Sequence, residues 1–549
     1  MSLLASQAGL LPTAIAREIA TCAPRPDEIR TESRDGLPIN GITRDGRAFY
    51  FHSRYATARE ARRLAESVGA AAQPAGCVVV IGFGMGHHLR SIAERVERVI
   101  AVEPDSALLQ SALGCVDLTG LLESRRLIVA TGRTTDELTD LVASAYVPAL
   151  HGRLTVCNLA GRFSAEPERM QAVRDRVDAA VEALKDDLAV QARFGRQWSR
   201  NALLNLPAVT PRELPDFGGE DVCVAAAGPS LADEVQRLIR DRRRIIAVDT
   251  ALPALLASGI RPDLAITIDS QIHSYHHYLC AGLPDLPVAT DLSVHPAVVR
   301  QLGGIIPTVS DHPLHTLLVH LGAQLPYVDL RAGNVTQAAV DLAVRCGARS
   351  IELVGADYSY PDGLAYARGT YLHTLFAAGA GRLCPVATSF YRFAANRPGA
   401  ARDPERPLLV RDPLLERYAV AIRRLAASRG VPLRRVRGRG IALAFDADSA
   451  LAPRKARSAR RCSVPPGKPR LPGRLVTEAE RLLCAVSERS LNRLVDRESG
   501  ERSIAARALL PLLTCLRAEL PQASATELLG LAQAEVRAWC AAAGRCYAA

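Results

Sequence analysis

Residues 222–230 read VCVAAAGPS, and two stretches of the same kind follow, RIIAVDT at residues 244–250 and LAITIDS at residues 264–270. Each is a short apolar run that ends in small or polar residues, and helical stretches separate the three. Strands that alternate with helices predict a parallel sheet covered by helices. The runs LPVATDLS, GGIIPTVSD and SIELVGADYSY at residues 286–293, 303–311 and 350–360 extend the pattern. We therefore expect functional loops at the carboxyl ends of these strands.

The same alternation occurs earlier in the chain, at residues 77–86 (CVVVIGFGMG), 96–105 (VERVIAVEPD) and 126–131 (RLIVAT). The sequence thus predicts the α/β class with two Rossmann-like parallel-sheet domains. Near the end of the chain, Thr477 with Glu480 and Ser524 with Glu527 have the spacing of capping boxes before apolar helical runs. These boxes predict a C-terminal helical domain.

These changes in pattern divide the chain into six predicted segments. The first is polar, and two Asp-Gly pairs separate its short apolar pieces, which favours a small β-rich cap. After Pro167, charged and apolar residues interleave at helical spacing and predict a long helix to about Leu204. The segments are an N-terminal cap (1–75), a Rossmann-like domain (76–165), a helical connector (166–205), a central catalytic domain (206–450), a basic Pro-rich linker (451–474) and a C-terminal helical bundle (475–549).

The basic charge of the chain is concentrated in one segment. The 549 residues include 68 Lys and Arg against 57 Asp and Glu, a net charge of +11. The stretch Pro453–Arg474 holds eight Lys and Arg and no acid, which leaves +3 on the rest. A nucleic-acid partner is therefore not expected, because the basic charge is not spread over a folded face.

Cysteine usage and hydropathy point to the cytoplasm. The 13 cysteines form no Cys-x-x-Cys pair, so reduced thiols are expected rather than disulfides or a zinc site. The N-terminus lacks the basic region and the unbroken apolar stretch of a signal peptide. No run of eighteen apolar residues occurs, so membrane insertion is not expected.

A glycine turn follows the first apolar strand of the upstream region. It contains Gly82, Gly84 and Gly86, and Glu103 ends the next strand. Glycines let a backbone approach a nucleotide or S-adenosylmethionine. Glu103 stands 21 residues after Gly82, and an acid at this spacing binds ribose hydroxyls. The four residues are a candidate second nucleotide site. A tight structural turn without a ligand is the alternative.

The downstream region offers a phosphate loop and two strand-end acids. Gly228, Pro229 and Ser230 stand between a strand and a helix, where Ser230 is expected to cap the helix and its free amides to accept a phosphate. Asp249 and Asp269 end the next two strands. Together they predict a nucleotide crevice, with an ordinary N-cap and solvated loop acids as the alternatives.

Two later features complete the candidate site. A turn containing Gly333 and Asn334 opens a helix, and Asp357 and Tyr358 end a strand. A polar loop then runs past Tyr366 and Tyr371 to His373 and is a candidate mobile lid. Tyrosine hydroxyls can donate to a leaving phosphate, and a histidine can take a proton near neutral pH. An uninvolved histidine is the alternative for His373.

Five ordered stretches resemble one family. GPSL, AVDTALPALLASGIRPD, TIDSQ, GNVTQAAVDLA and LVGADYSYPDGLAYARGT resemble the motility-associated factor proteins, which are flagellin glycosyltransferases. Their central domain is related to an archaeal 6-hydroxymethylpterin diphosphokinase and to bacterial sialyltransferases. The resemblance implies a sialyltransferase-like central domain that transfers pseudaminic or legionaminic acid, both nonulosonic acids, from a CMP donor to Ser or Thr of flagellin. It implies no metal and no further cofactor.

The resemblance also implies roles for single residues. His373 would be the base, with Asp357 next in line if burial raised its pKa, and Tyr358 and Tyr366 would face the donor phosphate. The residues implied to hold the nucleotide sugar are Gly228, Pro229, Ser230, Asp249, Asp269, Gly333, Asn334 and Thr336.

Three alternatives remain open from the sequence. A pterin diphosphokinase would use the same GPS loop and hold Mg²⁺ on carboxylates such as Asp249 and Asp269. A non-catalytic chaperone or export adaptor for flagellin would keep the fold without turnover. The glycine turn at Gly82 leaves room for a methyltransferase. Neither the oligomeric state nor the choice of nonulosonic acid follows from the sequence.

Overall fold

The computed structural model describes residues 2–72, 76–209, 212–241, 243–279, 286–302, 305–331, 333–436, 438–444, 472–496 and 500–546. Most of the linker predicted at residues 451–474 therefore lies outside the described residues. Its last three residues, from Pro472 on, begin a helix.

The chain packs as two compact units. Unit 1 comprises Met1–Arg196 and Leu482–Glu535, and unit 2 comprises Gln197–Arg481 and Val536–Ala549. The division falls inside one long helix, Pro167–Asn205, which the sequence predicted over nearly the same span. Its apolar residues Val173, Val177 and Val181 are buried, as their helical spacing requires. The six predicted segment boundaries stay predictions.

Unit 1 begins with helices and a small antiparallel sheet and continues into a parallel sheet. Its elements up to the end of the long helix are α1 (Leu3–Ala8), α2 (Thr13–Thr21), β1 (Glu28–Glu32), β2 (Pro38–Arg44), β3 (Arg47–Tyr50), α3 (Thr57–Ala72), β4 (Cys77–Ile81), α4 (His87–Ala93), β5 (Arg98–Val102), α5 (Ser106–Cys115), α6 (Thr119–Glu123), β6 (Leu127–Ala130), α7 (Thr135–Ala145), α8 (Pro148–His151), β7 (Leu154–Asn158), α9 (Ala160–Ala165) and α10 (Pro167–Asn205).

The parallel sheet of unit 1 has four strands in the order β6-β5-β4-β7. Every residue of β4 and β5 is buried, which explains why all of them except Arg98, the first residue of β5, are apolar. The sequence analysis missed β7, whose residues are only half-buried and mix polar with apolar types. The β-rich cap is corrected to a mixed one, because helices α1–α3 accompany the sheet β1-β2-β3.

Unit 2 is built on a seven-stranded sheet in the order β12-β11-β10-β9-β8-β13-β16, all of it parallel. Its elements are β8 (Asp221–Ala225), α11 (Leu231–Asp241), β9 (Arg244–Val248), α12 (Leu252–Ala257), β10 (Leu264–Thr267), β11 (Val288–Asp291), α13 (Pro296–Gln301), β12 (Ile305–Thr308), α14 (Pro313–His320), α15 (Val335–Arg345), β13 (Ser350–Val354), α16 (Tyr371–Ala378), α17 (Val386–Ala395), β14 (Ala401–Arg402), β15 (Val410–Arg411), α18 (Pro413–Arg429) and β16 (Leu433–Arg435).

The chain ends in four helices, α19 (Pro472–Cys484), α20 (Glu488–Asn492), α21 (Glu501–Glu519) and α22 (Ala525–Cys546). The predicted capping box at Ser524 is confirmed, because Glu527 N–H donates to Ser524 Oγ at 3.2 Å and Ser524 N–H donates to the Glu527 carboxylate at 2.7 Å. The box predicted at Thr477 is wrong. Thr477 lies inside α19, and its hydroxyl donates to the Gly473 carbonyl.

Among the described helices, none combines the length and the apolar character that crossing a lipid bilayer demands.

Candidate functional site

The candidate site lies at the carboxyl edge of the unit 2 sheet. Strands β10, β9, β8 and β13 are neighbours in this order, about 4.8 Å apart in a regular sheet. Asp269, Asp249, Ser230 and Asp357 follow these four strands in turn. The parallel topology therefore places four of the predicted residues along one edge.

Helix α15 starts at the same edge, because it leads back to the amino end of β13. Asn334 is its N-cap, and the side-chain oxygen accepts Gln337 N–H at 2.8 Å. Gly333 before it has a φ of +67°, a conformation that favours glycine. Thr336 is half-buried on the first turn. Within the described residues, Asn334 Nδ2 and Gln337 Oε1 are buried atoms without a hydrogen-bond partner.

The GPS loop makes different contacts from those predicted. Ser230 does not cap α11 with its side chain, because its hydroxyl donates to Asp357 Oδ1 and accepts Arg439 N–H at 2.7 Å. Ser230 N–H is also engaged, by Asp357 Oδ2 at 2.9 Å. The next amide, Leu231 N–H, donates to the Gly228 carbonyl at 3.0 Å. These two amides are therefore not open to a phosphate as the sequence suggested.

Asp357 holds the loop in this position. Its carboxylate accepts Gly440 N–H at 3.2 Å in addition to the two groups of Ser230, so it joins the ends of β8 and β13 to the segment after β16. Only 4% of its surface is exposed. A Cβ on Gly228 would lie 2.5 Å from Asp357 Oδ2, so only glycine allows the backbone at residue 228 to come this close to the carboxylate. Because the Asp357 carboxylate already accepts three hydrogen bonds, a positioning role fits it better than the role of the alternative general base.

The sequence analysis missed the segment that packs against the loop. Arg439 donates to the Pro229 carbonyl at 3.1 Å and pairs with Asp233 at 3.0 Å. A Cβ on Gly438 would lie 2.1 Å from Ser230 Oγ. In the sequence, this segment could have been recognised by an arginine that stands between two glycines shortly after β16.

The two strand-end acids have different surroundings. Asp249 is buried and accepts the Thr267 hydroxyl at 2.8 Å and Thr250 N–H at 2.7 Å. Asp269 is the more open of the two, and one of its oxygens accepts Gln271 N–H at 2.9 Å. Surrounding protein atoms, and then the nearby Asp249 carboxylate, raise the pKa of Asp269. The carboxylates of Asp249 and Asp269 could both accept hydrogen bonds from hydroxyl groups of a ligand.

Two tyrosines follow β13. Tyr358 has a φ of +50°, which is unusual for a bulky residue and marks a strained turn. Its hydroxyl is buried and has no hydrogen-bond partner in the described parts of the chain. Burial raises the pKa of both Tyr358 and Tyr366, so both hydroxyls keep their protons at neutral pH. Both are therefore available as hydrogen-bond donors.

His373 lies on α16 in the predicted lid. The Thr370 hydroxyl caps this helix by accepting His373 N–H at 3.3 Å, and the imidazole lies 6.0 Å from the ring of Phe390. Partial burial, and then Arg368, lower the pKa of His373. The imidazole is thus neutral at physiological pH, as a general base must be. No residue of α16 is buried.

A cluster of aromatic and imidazole rings was also missed. It follows Asp269 and consists of His273, Tyr275, His276 and His277, joined by Tyr371 at the start of α16. His276 stacks on Tyr371 with ring centroids 4.7 Å apart, and His277 meets the same ring edge-on at 6.0 Å. The cluster therefore connects the end of β10 to the lid helix. In the sequence, four aromatic or imidazole side chains within five residues could have indicated this cluster.

The end of α10 supports this edge of the sheet. Gln197, Asn201 and Asn205 recur every four residues, so they lie on one helix face. The first two donate to the Ser270 carbonyl at 2.6 and 3.0 Å. Asn205 donates to the Leu292 and Val294 carbonyls at 2.9 and 2.7 Å. This amide ladder ties the loops after β10 and β11 to the helix.

A buried histidine network lies beside the ladder. His315 contacts Ser293 Oγ through Nε2 at 3.0 Å, and its Nδ1 accepts Ser310 N–H at 3.1 Å. Because Nδ1 is an acceptor, it cannot donate to Asp291 as a Ser-His-Asp triad requires. Burial lowers the pKa of His315 to about 3. The network is a structural link between two strand ends.

The glycine turn of unit 1 is filled by the protein itself. Glu103 is fully buried and pairs with Arg162 at 2.9 Å, and it also accepts Phe83 N–H at 3.0 Å. A Cβ on Gly84 would lie 2.4 Å from His52 Nε2. Glu103, which the sequence predicted to bind ribose hydroxyls, is therefore already engaged by protein groups. The contacts of Gly82, Gly84, Gly86 and Glu103 favour the structural turn over a second nucleotide site.

We expect Gly84→Ala to destabilise unit 1 by about 1–3 kcal/mol, because a side chain would meet His52 at a φ of +49°. Gly114→Ala is the matched control. Gly114 lies in α5 with open space around it, so this change should stabilise by about 0.5–1 kcal/mol. Thermal unfolding of the two variants measures the difference. An unchanged melting temperature for Gly84→Ala would mean that the turn has room for a ligand.

Comparisons with known proteins relate the chain to several others. A family model described as 6-hydroxymethylpterin diphosphokinase MptE-like matches residues 200–363. An uncharacterized protein of Treponema pallidum (strain Nichols) is 33% identical over 171 residues, 30% of this chain and 81% of that protein. A second one from the same organism is 28% identical over 201 residues, 36% of this chain and less than half, 44%, of that protein.

A solved structure resembles this chain over nearly its whole length. It is a MAf glycosyltransferase from Magnetospirillum magneticum AMB-1, with a TM-score of 0.55 and 15% identity over 98% of this chain and 95% of that one. At this identity the likeness shows the fold, which is α/β with two parallel sheets and C-terminal helices.

Proposed function

We propose that this chain, which belongs to the same family as the 33% identical Treponema pallidum protein, is a protein O-glycosyltransferase. The donor is a CMP-activated nonulosonic acid, pseudaminic or legionaminic, and the acceptor is Ser or Thr of flagellin. The MAf glycosyltransferase-like fold and the MptE-like centre support this proposal. Four of the residues implied by the family resemblance, Asp269, Asp249, Ser230 and Asp357, follow neighbouring strands at one edge of the central sheet, which supports it further.

The single observation that carries the proposal is the unpartnered hydroxyl of Tyr358. Buried polar atoms normally have hydrogen-bond partners, so one without a partner at a strand end fits a site that a ligand completes. Asn334 Nδ2, at the start of α15, is a second buried donor without a partner in the described chain. Donors of this kind suit the oxygens of a phosphodiester.

The proposed chemistry needs hydrogen-bond donors at the leaving group. When the bond from the anomeric carbon to the phosphate oxygen breaks, its electron pair stays on CMP. Tyr358 and Tyr366 would donate their hydroxyl protons in hydrogen bonds to that phosphate. Preorganised donors in a water-poor site stabilise such a developing charge strongly. Asp249, Asp269, Asn334 and Thr336 would hold the nucleotide, while Gly228, Pro229 and Ser230 form the wall beside it.

The acceptor hydroxyl must lose one proton as its oxygen attacks the anomeric carbon. His373 is neutral and stands on a helix with no buried residue, so it would accept this proton when the lid covers the donor. His276 lies against the same helix through its stack on Tyr371. It is the second histidine within reach of this role.

The nucleotide site is tested with variants that preserve the fold. Asp269→Ala should weaken CMP binding about tenfold, because it removes an acceptor near the ligand. Asn334→Asp should have a similar effect. It keeps the side-chain oxygen that caps α15 and replaces the unpartnered amide donor by a negatively charged oxygen, which repels the phosphate of CMP. Isothermal titration calorimetry with CMP measures both.

Glu213→Ala is the matched control, since Glu213 is an exposed carboxylate ahead of the amino end of β8. It should bind CMP as the wild type does, and all three variants should melt within about 2 °C of it. If both site variants keep the wild-type affinity, the nucleotide is held elsewhere. Intact-mass analysis of flagellin from cells with and without the gene then tests the transfer itself.

A further inference from the structure

The part of the chain that forms the predicted lid is strongly basic. Residues 363–402 contain five arginines and no Lys, Asp or Glu, so their formal charge is +5. Two of these arginines have partners. Arg397 pairs with Asp412 at 3.6 Å, and Arg402 donates to the hydroxyl of Tyr391 at 2.6 Å. An excess of positive charge beside the candidate site fits an anionic ligand.

Arg368 is an arginine of this segment without such a partner. The residue is exposed, and no hydrogen bond or ion pair joins its guanidinium to another described residue. An arginine of this kind on an open surface needs no ligand, because water satisfies its five donors. Whether Arg368 can serve a ligand therefore depends on its position relative to the candidate site.

The turn that carries Arg368 is fixed to the carboxyl edge of the unit 2 sheet. Ala367 N–H donates at 2.9 Å to the carbonyl of Ala227, the residue before the GPS loop. The Thr370 hydroxyl is fully buried and donates to the Ala367 carbonyl at 2.9 Å. These bonds hold the backbone on both sides of Arg368 next to the end of β8.

The same turn lies against α12, the helix that follows Asp249. Gly369 has a φ of +92°, and a Cβ there would lie 3.2 Å from the Cα of Ala254 in α12. Tyr366 lies within electrostatic reach of the Asp249 carboxylate, which helps to raise its pKa. Arg368 therefore stands between the ends of β8 and β9, where the proposed nucleotide site lies.

The positive charge of Arg368 also reaches His373. Partial burial, and then this charge, lower the pKa of His373, so the guanidinium lies near the imidazole. In the proposed reaction, His373 accepts the proton of the hydroxyl that attacks the anomeric carbon. A group beside His373 is therefore close to the substituents of that carbon.

The proposed donor carries two anionic groups, a phosphate and a carboxylate. In a nonulosonic acid the carboxylate is bonded directly to the anomeric carbon. The hydroxyls of Tyr358 and Tyr366 would serve the phosphate, but none of the residues assigned to the site so far is cationic. Asp249 and Asp269 would repel an unpaired carboxylate. A guanidinium binds a carboxylate through two parallel N–H···O bonds, which makes arginine the suitable partner.

From this position and charge we infer that Arg368 binds the carboxylate of the sugar donor and selects acidic sugars over neutral ones. The inference rests on the proposed function for the identity of the donor. CMP alone has the phosphate but not the carboxylate. Loss of the Arg368 contact should therefore weaken binding of the intact donor and leave binding of CMP unchanged.

Calorimetry on the full-length chain, with CMP, CMP-pseudaminic acid and CMP-legionaminic acid as the probes, separates the two anionic groups. Arg368→Gln should weaken binding of the sugar nucleotide that the wild type binds by about tenfold or more, with CMP affinity within about twofold. Arg368→Lys should keep part of the affinity, because lysine retains the charge but not the paired donors.

Arg261→Gln is the matched control. Arg261 is also exposed, and it has no ion pair in the described part of the chain, but it precedes the amino end of β10, at the opposite edge of the sheet. This variant should bind all three probes as the wild type does. Both glutamine variants should melt within about 2 °C of the wild type, since neither residue is buried.

Each result decides one point. Weaker donor binding by Arg368→Gln with unchanged CMP binding supports the inference. Unchanged donor affinity overturns it, and so does an equal loss for CMP and donor, because the contact would then be with the phosphate. A wild type that binds CMP but neither sugar nucleotide overturns both the proposed donor and the inference. Donor binding that depends on Arg368 without transfer to flagellin would contradict the proposed acceptor and leave the inference standing.

Discussion

We expect His373→Ala to transfer sugar to flagellin about 10² to 10⁴ times more slowly than the wild type, with CMP affinity changed by no more than a few-fold. A base acts only when the acceptor attacks, so its loss affects the transition state and not donor binding. Tyr358→Phe and Tyr366→Phe should also keep CMP affinity and lower the transfer rate. Single-turnover transfer and calorimetry measure the two quantities separately.

His276→Ala is the companion variant, because His276 stacks on Tyr371 at the start of the helix that carries His373. Transfer at the wild-type rate by His373→Ala, together with a large loss in His276→Ala, would assign the base to His276. The pH profile adds a second criterion. Since burial lowers the pKa of His373, the midpoint of the decline of the wild-type rate in acid should lie below pH 6.5, the ordinary value for histidine.

The second large effect is expected on stability. Arg162→Gln should destabilise unit 1 by about 3–5 kcal/mol, because Glu103 would remain as a buried charge without its partner. Both side chains are fully buried, and the pair joins the end of β5 to α9. Hydrogen exchange of the β4 and β5 amides in increasing urea measures the stability of this sheet alone.

Lys185→Gln is the matched control. Lys185 pairs with Glu182 on the surface of α10, with more than half of each side chain exposed, so its loss should cost about 0–1 kcal/mol. The double variant Arg162→Met with Glu103→Leu should recover only part of the stability, since it removes the charge together with its partner but leaves Phe83 N–H without its acceptor. Equal urea dependence of Arg162→Gln and the wild type would contradict the importance of the pair.

The sheets were largely predictable from the sequence because their strands are buried on both faces. The runs at residues 78–81 and 222–225 are apolar throughout and are central strands in the structure. Strands β7 and β16 were missed for the opposite reason. β16 has three residues, two of them arginines, so its place at the sheet edge depends on pairing with β13 and not on its own pattern.

The candidate site was predictable in position but not in its contacts. Asn334 stands at the start of a helix as predicted, and its cap bond joins residues only three positions apart. The Ser230 side chain does not cap its helix. The carboxylate of Asp357, 127 residues later in the chain, accepts hydrogen bonds from both the hydroxyl and the amide of Ser230. The stack of His276 on Tyr371 likewise joins residues far apart in sequence. Local patterns contain no information about such partners.

The amide ladder on α10 sets a limit on how this protein can vary in length. Gln197, Asn201 and Asn205 reach the loops after β10 and β11 only because they share one face of the helix. An insertion or deletion of one residue between them would turn the following residues by about 100° and move at least one amide off that face. Substitutions on the outer face of this helix segment are therefore tolerable in evolution, whereas a change in its residue count would release the loop that carries Asp269.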